Sequence, residues 1–221
     1  MHEHVIAHLY IIEVTIKQEY KQFLEENFNG LKIKMPLFYN WENSLRFDLQ
    51  VGDTNTEEYF KEVNKRSTAL FRASFSETDK VFIVLNQYKI KRSKIRSSNY
   101  AFKQIAALKK SEVDYSTVRQ LYEPDDMWNR AISKVAINSI NYENILKAIA
   151  NTDFSREPRI DSQIFFINID KKLLFNMYDD RGLDIAAKDI ETLRPLYTEF
   201  NTWLLDYDRS VIDQRMKKNK L

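Results

Sequence analysis

The stretch Ile164-Phe-Phe-Ile-Asn-Ile-Asp-Lys-Lys-Leu-Leu-Phe-Asn-Met-Tyr-Asp-Asp-Arg-Gly-Leu-Asp-Ile-Ala-Ala187 decides the fold. Its apolar runs, Ile164–Ile169, Leu173–Tyr178 and Leu183–Ala187, are parted by Asp170-Lys171-Lys172 and by Asp179-Asp180-Arg181-Gly182. Short apolar runs bounded by turn formers read as strands, since Asp and Gly favour the local hydrogen bonds and backbone angles of a reversal. Connections this short join strands only in antiparallel order. Downstream, Leu193, Leu196, Tyr197, Phe200, Trp203, Leu204 and Tyr207 fall at helical spacing and predict one long helix. Pro195 is tolerated there only in the first turn, which puts the cap near Thr192. A meander followed by a helix predicts an α+β fold, mostly antiparallel, with helices on one face of the sheet.

Upstream, Thr15 and Gln18 have capping-box spacing, Ile16, Tyr20, Phe23, Leu24 and Phe28 recur on one helical face, and Asn29-Gly30 ends the pattern. From Ser44 to Val51, Leu45, Phe47, Leu49 and Val51 alternate with Arg46, Asp48 and Gln50, which predicts a strand with one wet face. On that face Arg46 and Asp48 suggest a cross-strand ion pair. Thr54 with Glu57 predicts a second capping box before a helix that buries Phe60, Val63, Ser67, Leu70 and Phe71. Val81–Leu85 reads as a central strand, Asn99–Leu108 as a short helix capped by Ser98, and Ala131–Ile140 as a strand. Asn141 then caps a helix carrying Tyr142, Ile145, Leu146 and Ile149. Polar residues 111–126 divide the chain into an α/β half, 1–110, and a meander-plus-helix half, 127–221, and there is no internal repeat.

Composition removes most familiar chemistry. The 221 residues include 3 glycines, no cysteine and 3 histidines, the last all in the first eight positions (His2, His4, His8). Phosphate-cradling loops need several glycines in one turn, so P-loop and Rossmann fingerprints are absent. Thiol nucleophiles, disulfides and cysteine zinc sites are excluded, and a serine triad would need its base from the extreme terminus. No cofactor and no metal centre is expected. The apolar run Val5–Ile16 is shorter than the ~20 residues that span a bilayer and lacks the features of a signal peptide. With no cysteine, a cytoplasmic location is expected.

Charge is uneven although the net is only +2. From Lys80 to Ser111 there are nine basic residues and no acidic one, while Tyr178–Asp213 holds nine acids against four bases. Lys89, Lys91, Arg92, Lys94 and Arg96 form the densest basic stretch, with Tyr88 and Tyr100 nearby. Such cations release phosphate counterions and tyrosines stack on bases, so nucleic-acid binding is one reading, weighed against a solvated edge or loop. Asp179, Asp180, Asp184, Asp206 and Asp208 could together ligate magnesium for a phosphodiesterase. Against that, the first two lie in a turn, and the last two would end the long helix and pair with Arg209 or distant cations.

Met177–Asp184, Leu193-Arg-Pro-Leu-Tyr197 and Asn201-Thr-Trp-Leu-Leu-Asp-Tyr-Asp-Arg209 resemble a bacterial family catalogued only as a domain of unknown function. Echoes in Pro36–Trp41, Leu45–Phe47 and Lys147–Phe154 extend the resemblance from about Phe28 to Asp213. It brings no assigned catalytic residues, and by analogy of scale implies small α+β proteins that neutralise toxins or other effectors. The resulting expectation is a non-enzymatic protein-binding module of the immunity or antitoxin kind, masking a toxin or effector. Its contacts would be Asp179, Asp180, Arg181 and Asp184, with Asp206, Asp208 and Arg209 as an accessory surface.

Overall fold

In the computed structural model residues 14–218 are described. Seven strands form one antiparallel sheet in the order β1-β7-β6-β5-β2-β4-β3: β1 (Ser44–Asp48), β2 (Lys80–Tyr88), β3 (Val113–Arg119), β4 (Met127–Ala136), β5 (Gln163–Asn168), β6 (Leu173–Met177) and β7 (Gly182–Ala187). The meander is β5-β6-β7, with Phe166 opposite Phe175 and Phe175 opposite Ile185. The flanking parts of the chain interleave in this sheet, since β2 lies between β4 and β5, and β1 adds to β7. Residues 111–126 carry β3, an edge strand on β4. Segment Ala131–Ile140 is strand only to Ala136; Ile137–Ser139 turns as a 3-10 helix.

Helix α1 (Ile16–Phe28) begins at the capping box of Thr15 and Gln18 and ends at Asn29 in the left-handed conformation. It packs Tyr20, Phe23, Leu24 and Phe28 against Phe82, Val84, Ile132 and Phe165 on one face of the sheet. The short helix α2 (Leu37–Asn40) leads into β1. The opposite face carries the larger core, with α3 (Glu57–Ser74), α5 (Tyr142–Ala150), α6 (Ile190–Glu199) and α7 (Arg209–Lys218). Thus most helices share one face, and α1 covers the other.

Several boundaries differ from the sequence expectation for physical reasons. Thr56, not Thr54, accepts the Tyr59 N–H and caps α3, because the chain is still turning at Asn55. Asn99, not Ser98, caps α4, which is one turn long, Tyr100–Lys103. The long helix expected through Tyr207 stops at Glu199. Beyond it Leu204 bridges to Phe47, and the Leu205 N–H donates to the Arg46 carbonyl at 3.0 Å, so this segment covers the open edge of β1 instead of continuing the helix. Helix α6 starts at Ile190, which leaves Pro195 in its second turn, and the burial of Leu193 and Leu196 offsets the backbone bond that the ring removes. Histidines 2, 4 and 8 and residues 5–13 of the apolar terminal run lie outside the described residues.

Candidate functional site

Pairing β1 with β7 puts Arg46 directly opposite Asp184. Leu45 and Phe47 enter the larger core, so alternation sends Arg46 to the other face, as the sequence pattern requires. That face is not wet. Arg46 is buried, and its guanidinium grips Asp184 through Nε–Oδ1 at 2.8 Å and Nη2–Oδ2 at 3.1 Å. Its Nη1 lies 3.4 Å from Asp208, which also accepts the Tyr39 hydroxyl at 3.0 Å. The rings of Tyr39, Phe38 and Tyr178 surround the guanidinium at 4.6, 5.2 and 5.7 Å. Arg215 of α7 stacks on Phe38 at 4.5 Å and donates to Ser44 Oγ at 3.1 Å. The cross-strand ion pair expected on this face is thus made by Arg46 with Asp184, while Asp48 accepts the Gln50 N–H within its own turn.

Burial disfavours the charge on Arg46, yet the bonds and charge of Asp184 keep its pKa raised. Burial also pushes the Asp184 carboxyl up, opposed by Arg46 and by the Phe38 N–H at 3.0 Å. Tyr178 is pushed up by burial and then by the Asp184 charge. The pair functions as a charged clamp between the sheet, α2 and the 3-10 turn Asp206–Asp208. It borders a recess of about 560 Å³ lined in part by Pro36, Tyr122, Trp128 and Arg181.

The Asp179–Gly182 turn forms a second cluster. Asp179 accepts the Arg181 backbone N–H at 2.8 Å and pairs with the Arg181 guanidinium, which also lies 3.7 Å from Asp153. Asp180 receives a short hydrogen bond from the Tyr59 hydroxyl. Burial raises both groups' pKa values, more than the shared bond lowers that of Asp180. Asp153, Asp179 and Asp180 bring carboxylate oxygens within 4.8 Å of one another, an all-oxygen set of the type that suits a hard cation. Arg181, beside Asp179 and Asp153, and Tyr59, on Asp180, already engage all three. The five aspartates that could together have ligated magnesium are split: Asp184 and Asp208 go to Arg46, Asp179 and Asp180 to this turn, and Asp206 to the surface.

Among the residues expected to touch a partner, Asp179, Asp180, Asp184 and Asp208 are buried. Their carboxylates hold the fold together and present no contact face. Arg181 and Asp206 are exposed, and half-buried Arg209 donates to the Asn201 carbonyl at 2.8 Å. Tyr59, Asp153 and Arg215 complete these clusters from distant parts of the chain, beyond any local sequence signal.

The basic stretch forms the third feature. After β2 the chain turns at Ile90–Ser93, and Asn129 of β4 ties this turn down by donating to the Ser93 carbonyl at 2.9 Å. Ile95 is buried in the larger core, so the loop is pinned over the β3–β4 edge. Beneath it runs a groove of about 1060 Å³. Lys89, Lys91, Arg92, Lys94 and Arg96 line it, with Lys110, and no acidic residue does.

This α+β architecture, a two-faced antiparallel sheet with an internal Arg–Asp clamp, belongs to the family described as Domain of unknown function (DUF3885), whose model matches residues 20–208. The chain is similar to the "Uncharacterized protein YnaE" of Bacillus subtilis (strain 168), with 24% identity over 206 residues, covering 84% of this chain and 96% of that protein. No solved structure matches it at a significant level. Among the described residues no helix is long and apolar enough to cross a membrane.

Proposed function

We propose that this chain is a non-enzymatic, cytoplasmic protein-binding module of the immunity or antitoxin type, which masks the working surface of a toxin or effector. The observation that carries the reading is the aromatic patch above the Arg46 clamp. Tyr207 is 85% exposed, Tyr39 57% and Val211 40%, large apolar side chains that a monomer gains nothing by displaying together. Tyr39 and Tyr207 lie close enough for their hydroxyls to interact electrostatically, and Asp208 ties Tyr39 to the clamp beneath. Exposed tyrosines on a rigid base suit binding hot spots, because little side-chain freedom is lost on contact. Asp206 and Arg209, near Tyr207 in the chain, supply charges beside it. Asp179, Asp180, Asp184 and Asp208 all have partners within the chain, which suits a structural role for these carboxylates.

The test is capture from lysates of the producing organism by the wild-type chain and by Tyr207→Ala/Val211→Ser, a surface change that leaves the clamp intact. A stoichiometric protein retained by the wild type and lost by the variant is expected, and that protein's toxicity should be relieved by co-expressing the chain. Equal retention by both chains, or no stoichiometric protein across growth conditions, overturns the reading.

A further inference from the structure

We propose that the groove between the 89–98 loop and the β3–β4 edge is a binding site for single-stranded nucleic acid, independent of the tyrosine patch. Charge is the first reason. Lys89, Lys91, Arg92, Lys94, Arg96 and Lys110 converge on one depression, and among the described residues none of them forms an ion pair. Like charges gathered without acids repel one another and destabilise the free protein, a cost that a bound polyanion reverses. A merely solvated loop has no need to be held in place. This one is anchored by Ile95 in the core and by the Asn129–Ser93 bond, so the cations are displayed in a fixed arrangement.

The second reason is what lies between the cations. Tyr115 of β3 lines the groove and is 42% exposed, its ring available to a base, while Ser97, Ser98 and Thr117 offer hydroxyls suited to phosphate oxygens. Cations along the backbone with an aromatic platform are the features by which proteins hold single strands without reading their sequence. An acidic polypeptide would use the charges and leave Tyr115 idle, which separates the two occupants by experiment. The groove shares no residue with the patch of Tyr39, Tyr207 and Val211, so one can fail without the other.

Fluorescence anisotropy with a labelled oligothymidylate of about 15 nucleotides, a length of the order of known single-strand sites, tests the assignment on the whole chain. If five phosphates are neutralised, log K against log salt should fall with a slope of about −3.5, from ~0.7 per contact. Lys91→Glu/Arg92→Glu/Lys94→Glu, all on the exposed loop, should reduce that slope by about 2 and weaken binding at least ~100-fold at low salt. Tyr115→Ala should weaken binding by roughly 5- to 150-fold with the slope unchanged, the effect of one lost stacking contact. Circular dichroism confirms that each variant is folded. No binding at about 50 mM salt, retention by the triple variant, or a polyglutamate competitor that displaces the oligonucleotide while Tyr115→Ala has no effect would each overturn the proposal.

Discussion

Asp184→Ala is the perturbation that most directly tests the structural reasoning. Asp184 is fully buried, with 0% exposure, and accepts two hydrogen bonds from Arg46, of 2.8 and 3.1 Å. Its removal strands a buried guanidinium, at a cost of roughly 3–5 kcal/mol for such a pair. Asp208, 3.4 Å from Nη1, partly compensates and places this pair at the lower end of that range. The Phe38 N–H also loses its acceptor, which adds about 1 kcal/mol and brings the total to about 4 kcal/mol. For a chain of this size that lowers the melting temperature by roughly 8–16 °C, at about 2–4 °C per kcal/mol. Urea denaturation followed by far-ultraviolet circular dichroism gives the free energy directly. The companion variant Arg46→Met/Asp184→Leu removes both charges and should recover about half of the loss, since the Phe38 N–H is then left without its acceptor and Asp208 keeps only the Tyr39 hydroxyl. A loss below about 1 kcal/mol for Asp184→Ala, or a double variant as unstable as the sum of the two single ones, would refute the clamp.

Three further expectations follow from local geometry. Asp126 accepts N–H groups of Leu121, Tyr122 and Glu123 and the Trp128 indole, which against its desolvation hold its pKa down at about 2. A carboxyl depressed below its unfolded value of about 3.9 stabilises the fold above that pH and loses the contribution as pH falls toward 2, so the stability gap between wild type and Asp126→Asn should close between pH ~5 and ~2; a constant gap would contradict this. Gly182→Ala puts a methyl group 2.7 Å from the Phe47 carbonyl and against the Tyr178 hydroxyl, so it should cost about 1–3 kcal/mol in thermal unfolding, whereas Gly52→Ala meets open space and carries only the cost of φ +76°, about 1 kcal/mol. Tyr59→Phe leaves buried Asp180 without its hydroxyl donor and should cost about 1–2 kcal/mol in chemical denaturation, with no change in the slope of the transition.

The elements legible in the sequence are those whose signals are complete within a few residues. Thr15, Gln18 and Asn29 bound α1 by contacts of adjacent turns, and Asp170-Lys171-Lys172 closes the β5–β6 hairpin regardless of what packs above it. Arg46 shows where that legibility stops. Alternation assigned it to the face opposite Leu45 and Phe47, but the groups that bury it lie 138 and 162 positions away, beyond any local pattern. The aromatic spacing of residues 193–207 failed for a related reason: the apolar side chains from Leu193 to Leu204 do pack on the core, but the backbone after Glu199 gains more by hydrogen bonding along the edge of β1, and Tyr207 is left exposed.

The same distinction between charge type and charge environment changes what the net charge means. Of the nine acids in Tyr178–Asp213, four are buried in internal bonds, where the protein screens them from solvent and neighbouring cations neutralise them. None of the nine bases in Lys80–Ser111 forms an ion pair among the described residues, and most are exposed. A chain with a formal charge of +2 therefore still carries one strongly basic groove, because no acidic residue lines the depression where these cations converge. Salt weakens attraction to such a groove over a screening length of about 10 Å at 0.1 M, while the largely buried Arg46 clamp is screened much less. Ionic strength thus separates the protein's two kinds of charge: raised salt should abolish association at the groove and leave the unfolding midpoint set by the clamp almost unmoved.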